Sequence, residues 1–255
     1  RLSGASGNLV TTADAVINGV TVGKWWFYGG HDTALWSGAL YNNTSWWQNT
    51  AVWEDALFSN ITAHYNTAMW YQSLYKNIWW NDNVAIGMYT LWSNINWFNN
   101  TAVWNWSLGS NTDWYDNVAI GYDAWQSNTL GYSNTAIWVA SLRNNTTGSG
   151  NTVLWVSALH LNTIGSKNTA LGDNAGSNLT SGNNNIAIGS NTNFVSSIAS
   201  NQLNIGNWIY GSGGNIGIGI ATPLAKFHVA ADILINGLMI GRGGGDIISN
   251  TIIGS

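Results

Sequence analysis

The sequence predicts an all-β chain, a parallel β-solenoid or β-roll of ten 17-residue coils with a short β connector at its C-terminal end. Three observations carry this. One short phrase, Asn-Thr-Ala-apolar, begins at Asp32, Asn49, Asn66, Asn83, Asn100, Asn117, Asn134, Asn151, Asn168 and Asn185, a constant 17-residue period without insertion. Charged residues make up only 7% of the chain, against roughly a quarter in ordinary soluble proteins. The single proline, Pro223, falls outside the array.

A 17-residue unit is too short for a helix pair, which needs more than about thirty. Its Thr, Val and Ile, separated by Gly and Asn, favour short strands joined by turns. Stacked at about 4.8 Å per coil, ten units make a rod of roughly 50 Å. The missing charges follow from the stacking. A charge kept at one phase would face its own copy in the next coil, with a repulsion of roughly 1 kcal/mol even in water. Asparagine escapes that cost and can ladder. The twelfth place of the repeat reads Asn43, Asn60, Asn77, Asn94, Asn111, Asn128, Asn145 and Asn162. A proline within the array would remove a ladder donor.

Two places carry the apolar signal. The fourth reads Leu35, Val52, Met69, Ile86, Val103, Ile120, Ile137, Leu154, Leu171 and Ile188. The ninth reads Leu40, Leu57, Leu74, Leu91, Leu108, Trp125, Leu142 and Leu159. Both are expected to face inward as the two anchors of each coil. So thin a coil buries few apolar side chains, and a lone rod would leave Ala, Val and Ile surface wet. A bundle of identical chains, with three preferred, would cover it.

The expected organisation is an N-terminal connector over residues 1–31, the solenoid over 32–201, and a C-terminal connector over 202–255 in which a further repeat block begins at 250. Within the last segment, Ala225-Lys-Phe-His-Val and Ile233-Leu-Ile-Asn-Gly read as strands. Ile235-Asn-Gly-Leu-Met-Ile-Gly-Arg matches Ile17-Asn-Gly-Val-Thr-Val-Gly-Lys at one constant offset, Ile17 answering to Ile235 and Lys24 to Arg242, so blocks and connectors are expected to alternate.

Several function classes are disfavoured. A net charge of −4 with seven Lys and Arg spread along the chain forms no basic stripe for nucleic acid. No cysteine is present, which removes disulfides and thiolate metal sites. No run of about 18 apolar residues predicts membrane insertion. The start at Arg1 reads as a processed piece or part of a longer chain. Glu54-Asp55, read as neighbours in one strand, would point to opposite faces and so not form an acid–base pair. His31, His64, His160 and His228 lack metal-ligand spacing. Gly211-Ser-Gly-Gly and Gly241-Arg-Gly-Gly-Gly read as turns and not phosphate cradles. The chain is therefore expected to be no enzyme and to need no cofactor or metal.

The phrases Asn117-Val-Ala-Ile-Gly-Tyr-Asp-Ala and Asn168-Thr-Ala-Leu-Gly-Asp-Asn-Ala resemble the repeats of bacteriophage tail fibres and of trimeric autotransporter adhesin heads. Asn215-Ile-Gly-Ile-Gly-Ile-Ala-Thr-Pro-Leu-Ala-Lys-Phe-His-Val is similar to the connector that often precedes a self-cleaving chaperone domain in phage fibres. The resemblance implies a homotrimer on a virion, or alternatively on a cell surface, that contacts a host receptor or glycan. Adhesin heads commonly use a shorter coil with Ser where this chain has Thr, which favours the tail-fibre side.

The fifth place holds Trp36, Trp53, Trp70, Trp104, Trp138 and Trp155 in some coils, but Gly87, Gly121, Gly172 and Gly189 in others. The fifteenth place alternates likewise, with Trp46, Trp80, Trp97 and Trp114 against Gly131, Gly148, Gly165 and Gly182. In the connector, Trp25, Trp26 and Trp36 correspond to Gly243, Gly244 and Gly254. Gly serves where φ is positive or backbones approach closely, so Trp is a poor substitute for it. Three readings are open. The six fifth-place tryptophans form exposed stacked ladders from coil to coil, giving a flat aromatic platform suited to sugar rings or other surfaces; or the same ladders are packed between chains and serve only stability; or Trp stands at places whose ordinary residue is Gly, through engineering or sequence assignment.

Overall fold

The computed structural model describes residues 15–17, 20–23, 32–44, 47–95, 98–112, 115–231, 233–235 and 238–240. Among these there is no helix. The chain is a parallel β-solenoid of ten 17-residue coils. Each coil contributes one short strand: β3 (Thr33–Leu35), β4 (Thr50–Ala51), β5 (Thr67–Met69), β6 (Val84–Ile86), β7 (Thr101–Val103), β8 (Val118–Ile120), β9 (Thr135–Ile137), β10 (Thr152–Leu154), β11 (Thr169–Leu171) and β12 (Ile186–Ile188). They stack in sequence order and in register, so that Ala85 lies beside Ala102, then Ala119, then Ala136.

The ladder runs one strand further than the repeat phrase. In β13 (Leu203–Ile205), Leu203 pairs with Ile186 and Asn204 with Ala187, still one full period on. Gln202 then takes the part of the repeat's first Asn, its backbone N–H donating to Asn185 Oδ1 at 2.8 Å. Beyond it the chain reverses through the antiparallel strands β14 (Ile209–Ser212) and β15 (Asn215–Ile218), with β16 (Phe227–Val229) parallel to β15.

Two hairpins flank this body. β1 (Ala15–Ile17) and β2 (Val20–Gly23) pair antiparallel, Ala15 with Val22 and Ile17 with Val20. β17 (Ile233–Ile235) and β18 (Leu238–Ile240) pair Ile233 with Ile240 and Ile235 with Leu238. Every partner is displaced by the same offset that relates the two sequences, so the second hairpin repeats the first pair for pair. β2 also pairs with β3, Val22 opposite Leu35, so the first hairpin leads directly into the solenoid. Both strands expected in the connector, at Phe227–Val229 and Ile233–Ile235, are present. The further repeat block expected at 250 and the glycines at 241–245 lie outside the described residues.

One expectation about the core is corrected. The ninth place is inward, with Leu57, Leu74, Leu91, Leu108, Leu142 and Leu159 fully buried, but its partner on the strand is the third-place alanine and not the fourth-place apolar residue. Strand parity sends residue three inward and two and four outward. Leu35 through Leu171 at the fourth place are half-buried and Ile188 is exposed, forming one apolar stripe along the rod.

Asparagine completes the interior. First-place Asn49 to Asn185 and twelfth-place Asn60 to Asn162 are all buried. Each step along the first place includes a bond from a backbone N–H to the preceding Asn or Asp Oδ1, at 2.7–3.2 Å, unbroken from Asn49 to Gln202. The twelfth-place amides donate along their own ladder, Asn94 to Asn77 and Asn111 to Asn94 at 3.0 Å. Both places also converge on the fifteenth-place carbonyl, as Asn151 and Asn162 do on Gly165 at 2.9 Å. Buried polar groups without such partners would cost about 1–3 kcal/mol each.

Candidate functional site

The outer corner of each coil is a sharp turn at places five to eight. The fifth-place carbonyl accepts the eighth-place N–H and often its hydroxyl, as Trp138 does from Ser141 at 3.2 and 2.8 Å. Closing so small a coil requires left-handed backbone at several places. The ninth-place leucines sit at φ 48–54°.

The fifth place is more extreme. Gly87, Gly121, Gly172 and Gly189 take φ of 146°, 142°, 133° and 112°, and five of the six tryptophans, Trp36, Trp70, Trp104, Trp138 and Trp155, take 85–113°. A Cβ built on Gly87 would lie 2.6 Å from the Trp104 carbonyl carbon, and one on Gly121 the same distance from that of Trp138. Glycine is therefore the residue this corner suits, and a side chain there costs about 1–2 kcal/mol. Where the fifteenth place holds glycine, the reason is instead a close approach of the next coil's backbone. A Cβ on Gly131 would meet the Gly148 carbonyl oxygen of the next coil at 2.5 Å. Trp80 keeps its carbonyl bonds there, accepting from Asn66 and Asn77 at 3.0 Å. Trp25, Trp26, Trp46, Trp97 and Trp114 lie outside the described residues.

Of the six candidate tryptophans, the fold brings five into stacks. Trp36 and Trp53 have ring centroids 4.7 Å apart, Trp53 and Trp70 5.3 Å, and Trp138 and Trp155 5.6 Å, with planes within 9° of parallel. Trp104 has a glycine corner on either side. The stacking of exposed tryptophans from successive coils is as expected for these five. The rings are piled face on face along the rod, so each covers one π-face of its neighbour. Exposure follows this arrangement: Trp53, between two rings, is 36% exposed, Trp36, Trp70, Trp138 and Trp155, each against one, 39–52%, and Trp104, with no ring stacked on it among the described residues, 62%.

Two further aromatic ladders occupy other phases. At the tenth place Tyr41, Phe58, Tyr75 and Trp92 stack at 5.1, 5.2 and 6.1 Å, with Lys76 Nζ 3.8 Å from the Trp92 ring centroid. At the sixteenth, Phe98, Tyr115 and Tyr132 stack at 5.3 and 5.8 Å. Both ladders are legible in the chain as aromatics that return at the period of the repeat, a quieter signal than the Gly–Trp exchange beside them.

The remaining candidate chemistry does not assemble. Glu54 and Asp55 sit in the corner turn and not on a strand, and Asp55 Oδ2 accepts from Gln72 Nε2 at 3.2 Å. His160 Nδ1 lies 2.9 Å from the Ser157 carbonyl, and His228 Nδ1 accepts the Leu224 N–H at 3.2 Å. His31 lies outside the described residues. Among the described residues no three His, Asp or Glu side chains group to hold a metal ion, and no helix is long and apolar enough to cross a membrane.

Fold and surface together define a parallel β-solenoid with laddered aromatics on its outer face. No family model, curated protein or solved structure matches the chain.

Proposed function

We propose that the chain is a shaft or head section of a phage tail fibre, a homotrimer of parallel solenoids that spaces and presents contacts to a host cell-surface receptor or glycan. The observation that carries this reading is the pair of hairpins, β1–β2 and β17–β18, which share one register on either side of the solenoid sequence. The first of them feeds the solenoid through β2 and β3. A chain that repeats its own entry module is suited to a fibre of alternating blocks. A trimeric surface adhesin would use the same geometry on a bacterial cell in place of a virion. In either setting the role is structural and adhesive, without catalysis or cofactor.

The fourth-place stripe from Leu35 to Ile188 supports association of chains, since a row of half-exposed aliphatic side chains is the surface that identical rods would bury against one another. Native mass spectrometry and electron microscopy of the chain test the proposal. The expected result is a rod with three times the 27.5 kDa chain mass, which the double variant Val103→Asp, Ile120→Asp separates into folded monomers. A monomer in the unaltered chain would sink the trimer.

A further inference from the structure

Where the coils end, the sheet carries its apolar side chains outward. β12 to β16 pair in sequence order, and residues directly opposite one another share a face. Two rows cross that face. One runs Ile188, Ile205, Ile209, Ile218, Val229 and is aliphatic throughout. The other runs Ile186, Leu203, Gly211, Ile216, Phe227. Six of these side chains, Ile186, Ile188, Ile209, Ile216, Ile218 and Phe227, are 36–57% exposed.

The opposite face is the covered one. Ala187, Asn204 and Gly217 are buried there, with Asn204 Nδ2 donating to the Asn193 carbonyl at 2.7 Å. A sheet with one covered face ordinarily turns its apolar side inward. Here the small and polar side is covered by the chain and the apolar side is bare. Along the coils the same outer face is interrupted, because seven of the nine strands β3 to β11 begin with Thr. From β12 onward neither row contains a polar side chain.

We propose that this apolar face, β12 to β16, is a seam on which copies of the chain close against one another. The inference rests on the association of chains proposed above and adds a surface to it that the coils do not supply.

The face itself selects a second copy as its occupant. It holds no charge and no hydrogen-bonding side chain, so it has nothing with which to orient a sugar or a charged partner. Identical chains related by a symmetry axis bring equivalent surfaces together, and a face without charge then opposes no like charges. Its exposed apolar surface is on the order of 500 Å², at the upper end of what a monomer carries and short of the roughly 800 Å² that each partner gives a standard interface. The fourth-place stripe continues the Ile188 row up the rod and supplies the remainder. Both surfaces are therefore needed for a stable assembly.

The chain has no cysteine, so one introduced cysteine is its only thiol. Ile218→Cys, on the face, and Thr222→Cys, exposed outside the strands, are each labelled with a maleimide in the full chain. At concentrations where native mass spectrometry gives the trimer, the Ile218→Cys thiol should react at least tenfold more slowly than the Thr222→Cys thiol. The two rates should converge on dilution to monomer. Ile218→Asp should raise the concentration needed for assembly at least tenfold and leave the circular dichroism of the chain unchanged. Equal labelling rates in a trimer, or assembly of Ile218→Asp at the unaltered concentration, would overturn the seam and leave the fibre reading standing. Protection that persists in the monomer would also overturn it, by showing that the chain covers this face itself. A chain that stays monomeric at every concentration would overturn both.

Discussion

The backbone N–H of Asn134 donates to Oδ1 of Asn117 at 3.1 Å, one coil away, in a fully buried position. The same Asn117 side chain donates through Nδ2 to the Gly131 carbonyl at 3.1 Å, so one amide ties its coil to the next and closes its own coil. A hydrophobic side chain could fill the volume but could do neither. The narrow interior is therefore held by asparagine as much as by leucine.

Replacing Asn117 by Ala should accordingly destabilise the chain by about 2–4 kcal/mol, since it strands a buried donor and weakens a second bond. Thr135→Ala, at the half-buried second place, should cost less than about 1 kcal/mol. Chemical denaturation of both variants compares them. Equal losses would show that the amide ladder is incidental.

The fifth-place corner predicts opposite signs for two exchanges. Gly121→Ala, with φ at 142° and a Cβ 2.6 Å from the Trp138 carbonyl carbon, should destabilise by roughly 1–3 kcal/mol. Trp104→Gly should stabilise by about 1–2 kcal/mol, as it relieves strain without breaking a ring stack. Thermal melting of the two variants reads the difference.

Asp32 stands where the other coils have Asn, and burial raises its pKa above the ordinary carboxylate value despite bonds from the Asn49 backbone N–H and Asn43 Nδ2, both at 2.7 Å. A group whose pKa is raised on folding contributes stability that is present below its unfolded pKa and lost as pH rises through its folded one. The first coil should therefore be more stable in acid than at neutral pH. Hydrogen exchange at Asn49 and Thr50 should slow as pH falls through the carboxylate range, after correction for intrinsic rates, and Asp32→Asn should abolish that dependence.

Much of the fold was legible because in-register stacking forces equivalent residues to meet themselves. Like charges at one phase of adjacent coils, prolines and insertions are then kept out of the array, and the period stands out in the chain. Inside and outside were less legible. The fourth-place residues are larger and more apolar than the third-place alanines, and on hydrophobicity alone they read as core. A coil this narrow has no room for them beside the ninth-place leucine and two asparagines, so the strand buries its smallest residue. Trp125 shows the limit of that room. It replaces a leucine at the ninth place, is fully buried, and fits by donating Nε1–H to the Asn145 carbonyl at 2.8 Å.

The tryptophans divide in the same way. Their phase, and its exchange with glycine, could be read from the chain, and the positive φ at that corner is the physical reason for the exchange. Stacking of rings from successive coils was among the readings the chain allowed, and the coil spacing is the physical reason for it. By itself, then, the sequence determined the period, the parallel register and the neutral, asparagine-rich character of the rod, all consequences of identical units in contact. Tertiary structure alone decided which face of each strand is core, and that among the described fifth-place tryptophans Trp104, between the Gly87 and Gly121 corners, stands without the ring stack that the other five have.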